Sequence, residues 1–403
     1  MSPHVTELLH LIARWVHLIA GIMWIGNSML FNWLDRNLEA AADPRPGSVG
    51  EIWMVHSGGF YHVEKKFLAP GQMPKTLHWF KWQNGITWLS GITLLVLVYY
   101  MGGAVLMTDP AVSPITAVGS VCVGVGTIIA AWLIYDRVWR SPIGKHPTAG
   151  FVASVVTVLA MSWVLFHWLS GRAAYMHVGV LVGTLMTGNV WFVIMPSQRE
   201  LVAATLEGRE QDPAIGYQAK QRSVHNNYMT FPLLFIMLSN HFPTTFGHAL
   251  NWLVLFVLTL GSAVIRHLMN IRFVKRDWLF PTTATFFALC VAMLAFFANP
   301  SGFHPPRGTV ADGSGASVRW SDVQPILRER CVPCHSAHPT NVAFTTPPNG
   351  VLLETLEQVV RLQDRVRLRA VTLRNMPLGN STQITDDERE RIGTWIEQGA
   401  PAH

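Results

Sequence analysis

The chain has 403 residues, with 50% hydrophobic side chains, only 13% charged ones and a formal net charge of +6. Soluble domains average roughly 25% charged residues, so the composition excludes a disordered chain or an ordinary nucleic-acid-binding one and argues against a single soluble globule. The 16 Trp and 16 Met suit a membrane protein with aromatic residues at the lipid boundary.

A helix needs about 20 apolar residues to cross a bilayer core. Eight runs read as candidates, roughly 8–34, 85–106, 115–135, 148–170, 174–195, 227–241, 247–267 and 279–298. The sixth is short and holds Pro232, so it is expected to be broken or tilted. The first is too long for a cleavable signal and continues into Trp24 and Trp33, which reads as an uncleaved anchor. Gly179 and Gly183 in the fifth run have small-xxx-small spacing and predict close helix packing.

Charge orients the runs. Arg36, Arg45, Lys65, Lys66, Lys75 and Lys81 follow the first; Arg137, Arg140 and Lys145 follow the third. Arg199, Arg209, Lys220 and Arg222 follow the fifth; Arg266, Arg272, Lys275 and Arg276 follow the seventh. The intervening loops hold Arg172. Cytoplasmic loops carry the excess of Lys and Arg, so both termini are expected on the periplasmic side of a bacterial inner membrane.

After the eighth run the composition changes. Residues 299–318 are rich in Pro, Gly and Ser and read as a flexible linker. Residues 319–403 are polar and helical by pattern. A last helix is predicted from Thr385, with Glu388 completing a capping box, and it stops before Gly399 and Pro401.

Cys331-Val332-Pro333-Cys334-His335 is a C-x-x-C-H motif and reads as c-type haem attachment. Two thiols add to the two vinyl groups of one porphyrin, and the adjacent His reaches the iron. A thioredoxin-like redox pair would need a βαβ pattern, and a zinc site a second Cys pair; neither is present. Cys122 and Cys290 lie alone in apolar runs and read as small buried hydrophobes. Met376 is the expected second axial ligand, because a Met/His pair holds iron in cytochromes c; the plainer alternative is a gap-filling core Met. The order of motif, Met376-Pro377 and a C-terminal helix with Trp395-Ile396 resembles a small class I cytochrome c domain. Covalent haem attachment of this kind occurs outside the cytoplasmic membrane, in agreement with the charge reading. The expected fold is therefore all-α: an eight-helix transmembrane bundle over 1–298, a linker over 299–318 and a periplasmic cytochrome c domain over 319–403.

Ionisable residues inside membrane helices are functional candidates. His10, Arg14 and His17 share one face of the first helix, and His167, His177, His241 and His248 lie near outer helix ends. They admit a b-type haem between two histidines, with His17, the deepest, as first choice and Arg14 near a propionate. The plainer reading of any one of them is an interfacial or hydrogen-bonded histidine.

The inner loops carry another chemistry. Val55 to His62 is followed by Glu64-Lys65-Lys66, then Leu77-His78-Trp79-Phe80-Lys81-Trp82-Gln83, and later Arg222-Ser223-Val224-His225-Asn226-Asn227-Tyr228. Cations, imidazoles, amides and flat rings are the groups that hold a planar anion, and Gly58-Gly59 would let one approach the backbone. A positive-inside loop with belt aromatics explains Lys65, Lys66 and Trp79 as well, but not the His, Asn and Gln beside them.

Gly58-Gly59-Phe60-Tyr61, Leu77 to Trp82 and His225-Asn226-Asn227-Tyr228, taken together, resemble the bacterial membrane-bound urate hydroxylases, a urate oxidase N-terminal domain fused to cytochrome c. The resemblance runs over essentially the whole chain and departs at Gln83-Asn84, where the family pattern would carry an acidic residue. It implies oxidation of urate with water to 5-hydroxyisourate, with electrons passing through the cytochrome to a downstream cytochrome or terminal oxidase rather than directly to oxygen. His78 or His225 would then be the general base, and Lys65, Lys66 or Lys81 would steady the urate anion. Urate bound inside would leave its electrons about 30 Å of hydrocarbon from an outer haem, which favours a second redox centre or a site nearer the outside. A quinol-linked electron-transfer subunit and a transporter or sensor with a redox appendage are the competing readings.

Overall fold

The computed structural model describes residues 3–43, 45–69, 71–101, 104, 106–109, 112–248, 250–272, 276–298, 318–342, 344, 346–372, 374 and 376–402. The expected linker, apart from residue 318, lies outside the described residues.

Helix α1 (Pro3–Asn37) runs along α2 (Trp82–Leu95), whose end widens into a π-helical segment, Val96–Tyr100. Next come α3 (Ala117–Arg140), α4 (Pro147–Trp168) and α5 (Gly171–Asn189). A second π segment, Val190–Ile194, joins α5 to α6 (Met195–Glu207). Then follow α7 (Pro213–Ser239), short α8 (Pro243–Phe246), α9 (Asn251–Ile271) and α10 (Leu279–Ala298).

Local chemistry sets the helix ends. The Thr116 hydroxyl accepts from Gly119 N at 3.1 Å and starts α3; Ser170 accepts from Ala173 N at 3.2 Å and starts α5. Asp212 caps α7 through Ala214 N at 2.9 Å, with Pro213 in the first helical position.

The bundle is built around α5. Ala173, Ala174, Tyr175, His177, Val178, Leu181, Val182, Leu185 and Met186 are all buried, enclosed by α2, α3, α4 and α7. Close approach explains the glycines. A Cβ at Gly179 would stand 2.8 Å from Ile236 Cγ2 on α7, and one at Gly124 of α3 would stand 2.6 Å from His177 Nε2. The outward faces are apolar: Leu11, Trp15 and Ile22 of α1, Phe151 and Trp163 of α4, and Phe280 of α10, which is 80% exposed. Such faces suit lipid rather than water.

Among the described residues, five helical stretches are long and apolar enough to cross a membrane: Leu8–Asn37, Ala117–Arg140, Pro147–Trp168, Gly171–Glu207 and Asn251–Ile271. The chain is thus mostly helical, with features of a multi-pass membrane protein. The other expected crossings take different forms. The second run becomes α2 and its π segment and ends at Tyr100. The sixth is the apolar half of α7, which begins with a polar half and continues through Pro232 unbroken. The eighth lies in α10, a shorter apolar helix over Leu279–Met293.

The all-α expectation misses one element. Strands β1 (Ser48–His56) and β2 (Gly59–Lys66) form an antiparallel hairpin between α1 and α2. Ser57 (φ 51°) and Gly58 (φ 76°) make its two-residue turn, which needs both residues in the left-handed region. Val55 pairs with Phe60, and the Trp53 ring stacks on His62 with centroids 4.3 Å apart.

The C-terminal unit, from Val318 on, contains α11 (Trp320–Arg330), α12 (Leu356–Arg361), α13 (Gln363–Val366) with a π segment Arg367–Thr372, and α14 (Asp386–Glu397). Val323, Leu327, Val359, Ile392 and Trp395 form its core. Helices α11 and α14 pack together, with Trp320 and Trp395 ring centroids 5.4 Å apart. The predicted capping box is present: Thr385 N donates to Glu388 Oε2 at 2.7 Å, and Glu388 N to the Thr385 hydroxyl at 3.2 Å. Gly399 follows with φ 85°.

Candidate functional site

Contacts between Arg36 and Asn270, Asn84 and Thr187, and Arg222 and Asp136 bring one end of α1, α2, α3, α5, α7 and α9 together. This end holds the buried Arg222 and Arg266 and the buried asparagines among the described residues, with one set on each side of α7 and a third at the start of α2.

Toward α3 and α5, Arg222 Nη2 donates to Asp136 Oδ1 at 3.2 Å and its Nη1 to Asn189 Oδ1 at 3.3 Å. A guanidinium only donates, so Asn189 must turn its oxygen to Arg222. Its Nδ2 then donates to the Tyr135 hydroxyl at 3.0 Å and to Asn226 Oδ1 at 2.9 Å. Tyr135 therefore spends its own proton on His225 Nδ1, 2.7 Å away. By this assignment the neutral His225 ring carries its proton on Nε2. The Trp139 ring lies 4.3 Å from the His225 ring, and the Arg222 guanidinium lies 4.7 Å over Tyr135. Asp136 also accepts from Arg140 Nε at 2.6 Å. The set is closed: its buried cation has a counter-charge, and its amides are engaged.

Toward α9, Asn227 Oδ1 accepts from Arg266 Nε at 3.1 Å and from Asn270 Nδ2 at 2.7 Å. Asn227 Nδ2 has no partner among the described residues. Arg36 Nη1 reaches the Asn270 carbonyl at 3.1 Å, and the Tyr228 hydroxyl lies 2.7 Å from His267 Nδ1.

At the start of α2, Asn84 Nδ2 donates to the Thr187 hydroxyl at 3.2 Å, and Trp191 Nε1 donates to Asn84 Oδ1 at 2.9 Å. The Lys81 ammonium lies 5.3 Å from the Trp82 ring centroid and 6.0 Å from that of Trp191. Asn84, where an acidic residue was expected, thus joins α2 to α5 as a neutral amide.

The sequence-predicted residues are distributed unevenly. His225 sits in the closed network and Lys81 on its tryptophan wall. His78 is exposed, and no hydrogen bond joins it to either set among the described residues. Lys65 is exposed in the hairpin and bonds Asp35 at 2.6 Å. Gly58 sits in the hairpin turn and Gly59 opens β2. Tyr135, Asp136, Asn189 and Asn270 were not anticipated. The available signal was a carboxylate or amide at the end of an apolar helix.

Of the histidines toward the other end, His17 and His177 are packed, while His167 and His241 are exposed. His17 Nδ1 lies 2.9 Å from the Thr87 carbonyl and 3.2 Å from the Ser90 hydroxyl, and its ring fills the notch over Gly91. His177 is fully buried and uses both nitrogens, on the Ala173 carbonyl at 2.8 Å and the Tyr100 hydroxyl at 3.0 Å. It keeps no free nitrogen for iron. Among the described residues no group of three or more His, Cys, Asp and Glu is placed to hold a metal ion.

Residues 3–296 match the urate oxidase N-terminal family. The chain belongs to this family. Membership relates it to urate oxidation and to the oxidoreductases, and its long apolar helices fit a lipid bilayer. No curated protein and no solved structure matches it.

The C-terminal unit lies beyond the stretch that matches the urate oxidase N-terminal family. There the end of α11 delivers Cys331 into a tight loop, with Cys331 N on the Leu327 carbonyl at 2.8 Å and His335 N on the Cys331 carbonyl at 2.9 Å. His335 Nδ1 lies 3.1 Å from the Val351 carbonyl, which leaves Nε2 for an axial bond. Burial pushes the Cys331 thiol up to about 12 and raises Cys334 as well. The Met376 backbone is held by the Arg369 carbonyl at 3.1 Å and by Arg389 Nη1 at 2.7 Å. This donor set fits a covalently attached porphyrin.

Proposed function

We propose that the chain oxidises urate with water to 5-hydroxyisourate and releases the electrons to the respiratory chain rather than directly to oxygen. Water oxygen forms the new bond to the purine, and two electrons and two protons leave. The family match over residues 3–296 carries the reading. Cys331 and Cys334 would hold a haem c covalently, with His335 and Met376 to bind its iron, and when bound that group would supply one-electron chemistry.

The chain's own groups suit a planar anion at the basic end of the bundle. Lys81 beside the Trp82 and Trp191 rings, which meet edge to face, offers a cation next to two aromatic surfaces. His225 offers Nε2–H to a substrate oxygen and takes up a proton at Nδ1 only as Tyr135 turns its hydroxyl away. The reading extends the five long apolar helices to eight crossings, with α2, α7 and α10 as the others and the C-terminal unit outside. The lysines and arginines of the alternate loops support that orientation.

The test is anaerobic addition of urate to oxidised, detergent-purified chain while haem absorption is followed. Prompt reduction with two electrons per urate is expected. A chain with covalent haem that urate leaves oxidised would reject the proposal, and reduction by quinol alone would favour a quinol-linked subunit.

A further inference from the structure

The two buried arginines beside α7 differ in one respect. Arg222, 3% exposed, faces Asp136. Arg266, 5% exposed, has no carboxylate partner among the described residues; its Nε is spent on Asn227 Oδ1, and Phe231 lies 5.3 Å beneath the guanidinium. Arg36 and Arg272 are close enough to repel it. A buried charge without a counter-charge is strongly unfavourable.

Asn227 supplies a second observation. It is 5% exposed. Arg266 and Asn270 Nδ2 both donate to Oδ1, so the amide cannot be reversed without setting two donors against a third. Its Nδ2 is therefore a directed donor with nothing to receive it among the described residues. An uncompensated guanidinium and an orphaned amide donor, side by side, both ask for an anionic oxygen.

We propose that the junction of α1, α7 and α9 binds a phosphate-type oxyanion through Asn227 Nδ2 and the Arg266 guanidinium, at a site separate from the one assigned to urate. His225 and Asn227 are two residues apart on α7 and face different neighbours, Tyr135 of α3 and Arg266 of α9. Basic pockets between helices at a membrane interface bind lipid headgroups, and the same donors would take free phosphate.

The full chain in detergent tests this. Thermal unfolding is followed while phosphatidylglycerol, phosphatidylcholine or inorganic phosphate is added, and co-purified lipid is identified by native mass spectrometry. Phosphatidylglycerol or phosphate should raise Tm. Asn227→Asp should raise Tm without any ligand, because a carboxylate then faces Arg266, and should weaken the anion response by at least about tenfold, the loss of one hydrogen bond to a charged group. Arg266→Lys keeps the charge but loses the fork and should weaken the response in part. A response to phosphatidylglycerol alone assigns the oxyanion to a headgroup; a response to inorganic phosphate assigns it to a free anion. The proposal is overturned if wild type responds to neither, or if Asn227→Asp fails to fold or responds unchanged. It is also overturned if urate alone gives the shift that Asn227→Asp removes.

Discussion

The Tyr135 hydroxyl stands 2.7 Å from His225 Nδ1 and decides which nitrogen of that ring is left to the outside. Tyr135→Phe removes the proton donor and frees Nδ1. Under the proposed function it should slow haem reduction by urate and shift its pH profile, while covalent haem stays intact. His225→Ala should slow the same step by about 10²-fold, the lower range for general acid–base groups. Wild-type rates in both variants would remove His225 from the chemistry.

Asp136 serves two cations, Arg140 at 2.6 Å and the buried Arg222 at 3.2 Å. Asp136→Ala leaves Arg222 without its carboxylate inside the helix junction. The expected loss is about 3–5 kcal/mol, as for one partner removed from a buried pair. Thermal unfolding of the detergent-solubilised chain reads it. A Tm within a degree or two of wild type would show that Arg222 is solvated some other way.

Gly124→Ala places a methyl group 2.6 Å from His177 Nε2, within a fully buried packing of α3 on α5. Overpacking of this kind typically costs about 1–3 kcal/mol. A lowered Tm is expected, and His177→Ala combined with Gly124→Ala should recover part of the loss. Equal damage from the single and double changes would contradict a steric origin.

Glu388 gives the C-terminal unit a defined acid response. Partial burial opposes its ionisation, but hydrogen bonds from Arg330 and Thr385 outweigh it and hold the carboxyl below its usual range. The unfolded value is about 4.3. With the folded value lower, the stabilisation is complete above about pH 4.3 and is lost as pH falls through the folded value. Glu388→Gln should weaken amide protection in α14 by about 2 kcal/mol at pH 7, with a difference from wild type that shrinks as pH falls below about 4.3. A difference that grows on acidification would reverse the sign of the argument.

Much of the C-terminal unit was legible in the sequence, because a capping box and a terminal glycine are local signals. Thr385, Glu388 and Gly399 need only each other. The α5 interface was legible for a similar reason: Gly179 and Gly183 mark one face by spacing alone. The polar end of the bundle was not. Tyr135, Asn189 and Asn226 come from three helices far apart in the chain, and nothing local announces that they meet. Arg222 and Arg266 read as loop charges because apolar character ends before them, yet α7 starts at Pro213 and α9 continues to Ile271, and both arginines are buried. The hairpin was hidden by its basic surroundings, which drew attention to charge rather than to the alternation of Trp53, Val55 and their neighbours.

That hairpin has one further mechanical meaning. Trp53, Val55 and Phe60 lie on one greasy side of it, all well exposed, while Lys65 and Lys66 sit at its base. Against a bilayer, a ribbon so divided would rest at a definite depth, its rings among acyl chains and its ammonium groups among headgroups. It would act as a keel between α1 and α2, setting how far that pair sinks into the bilayer.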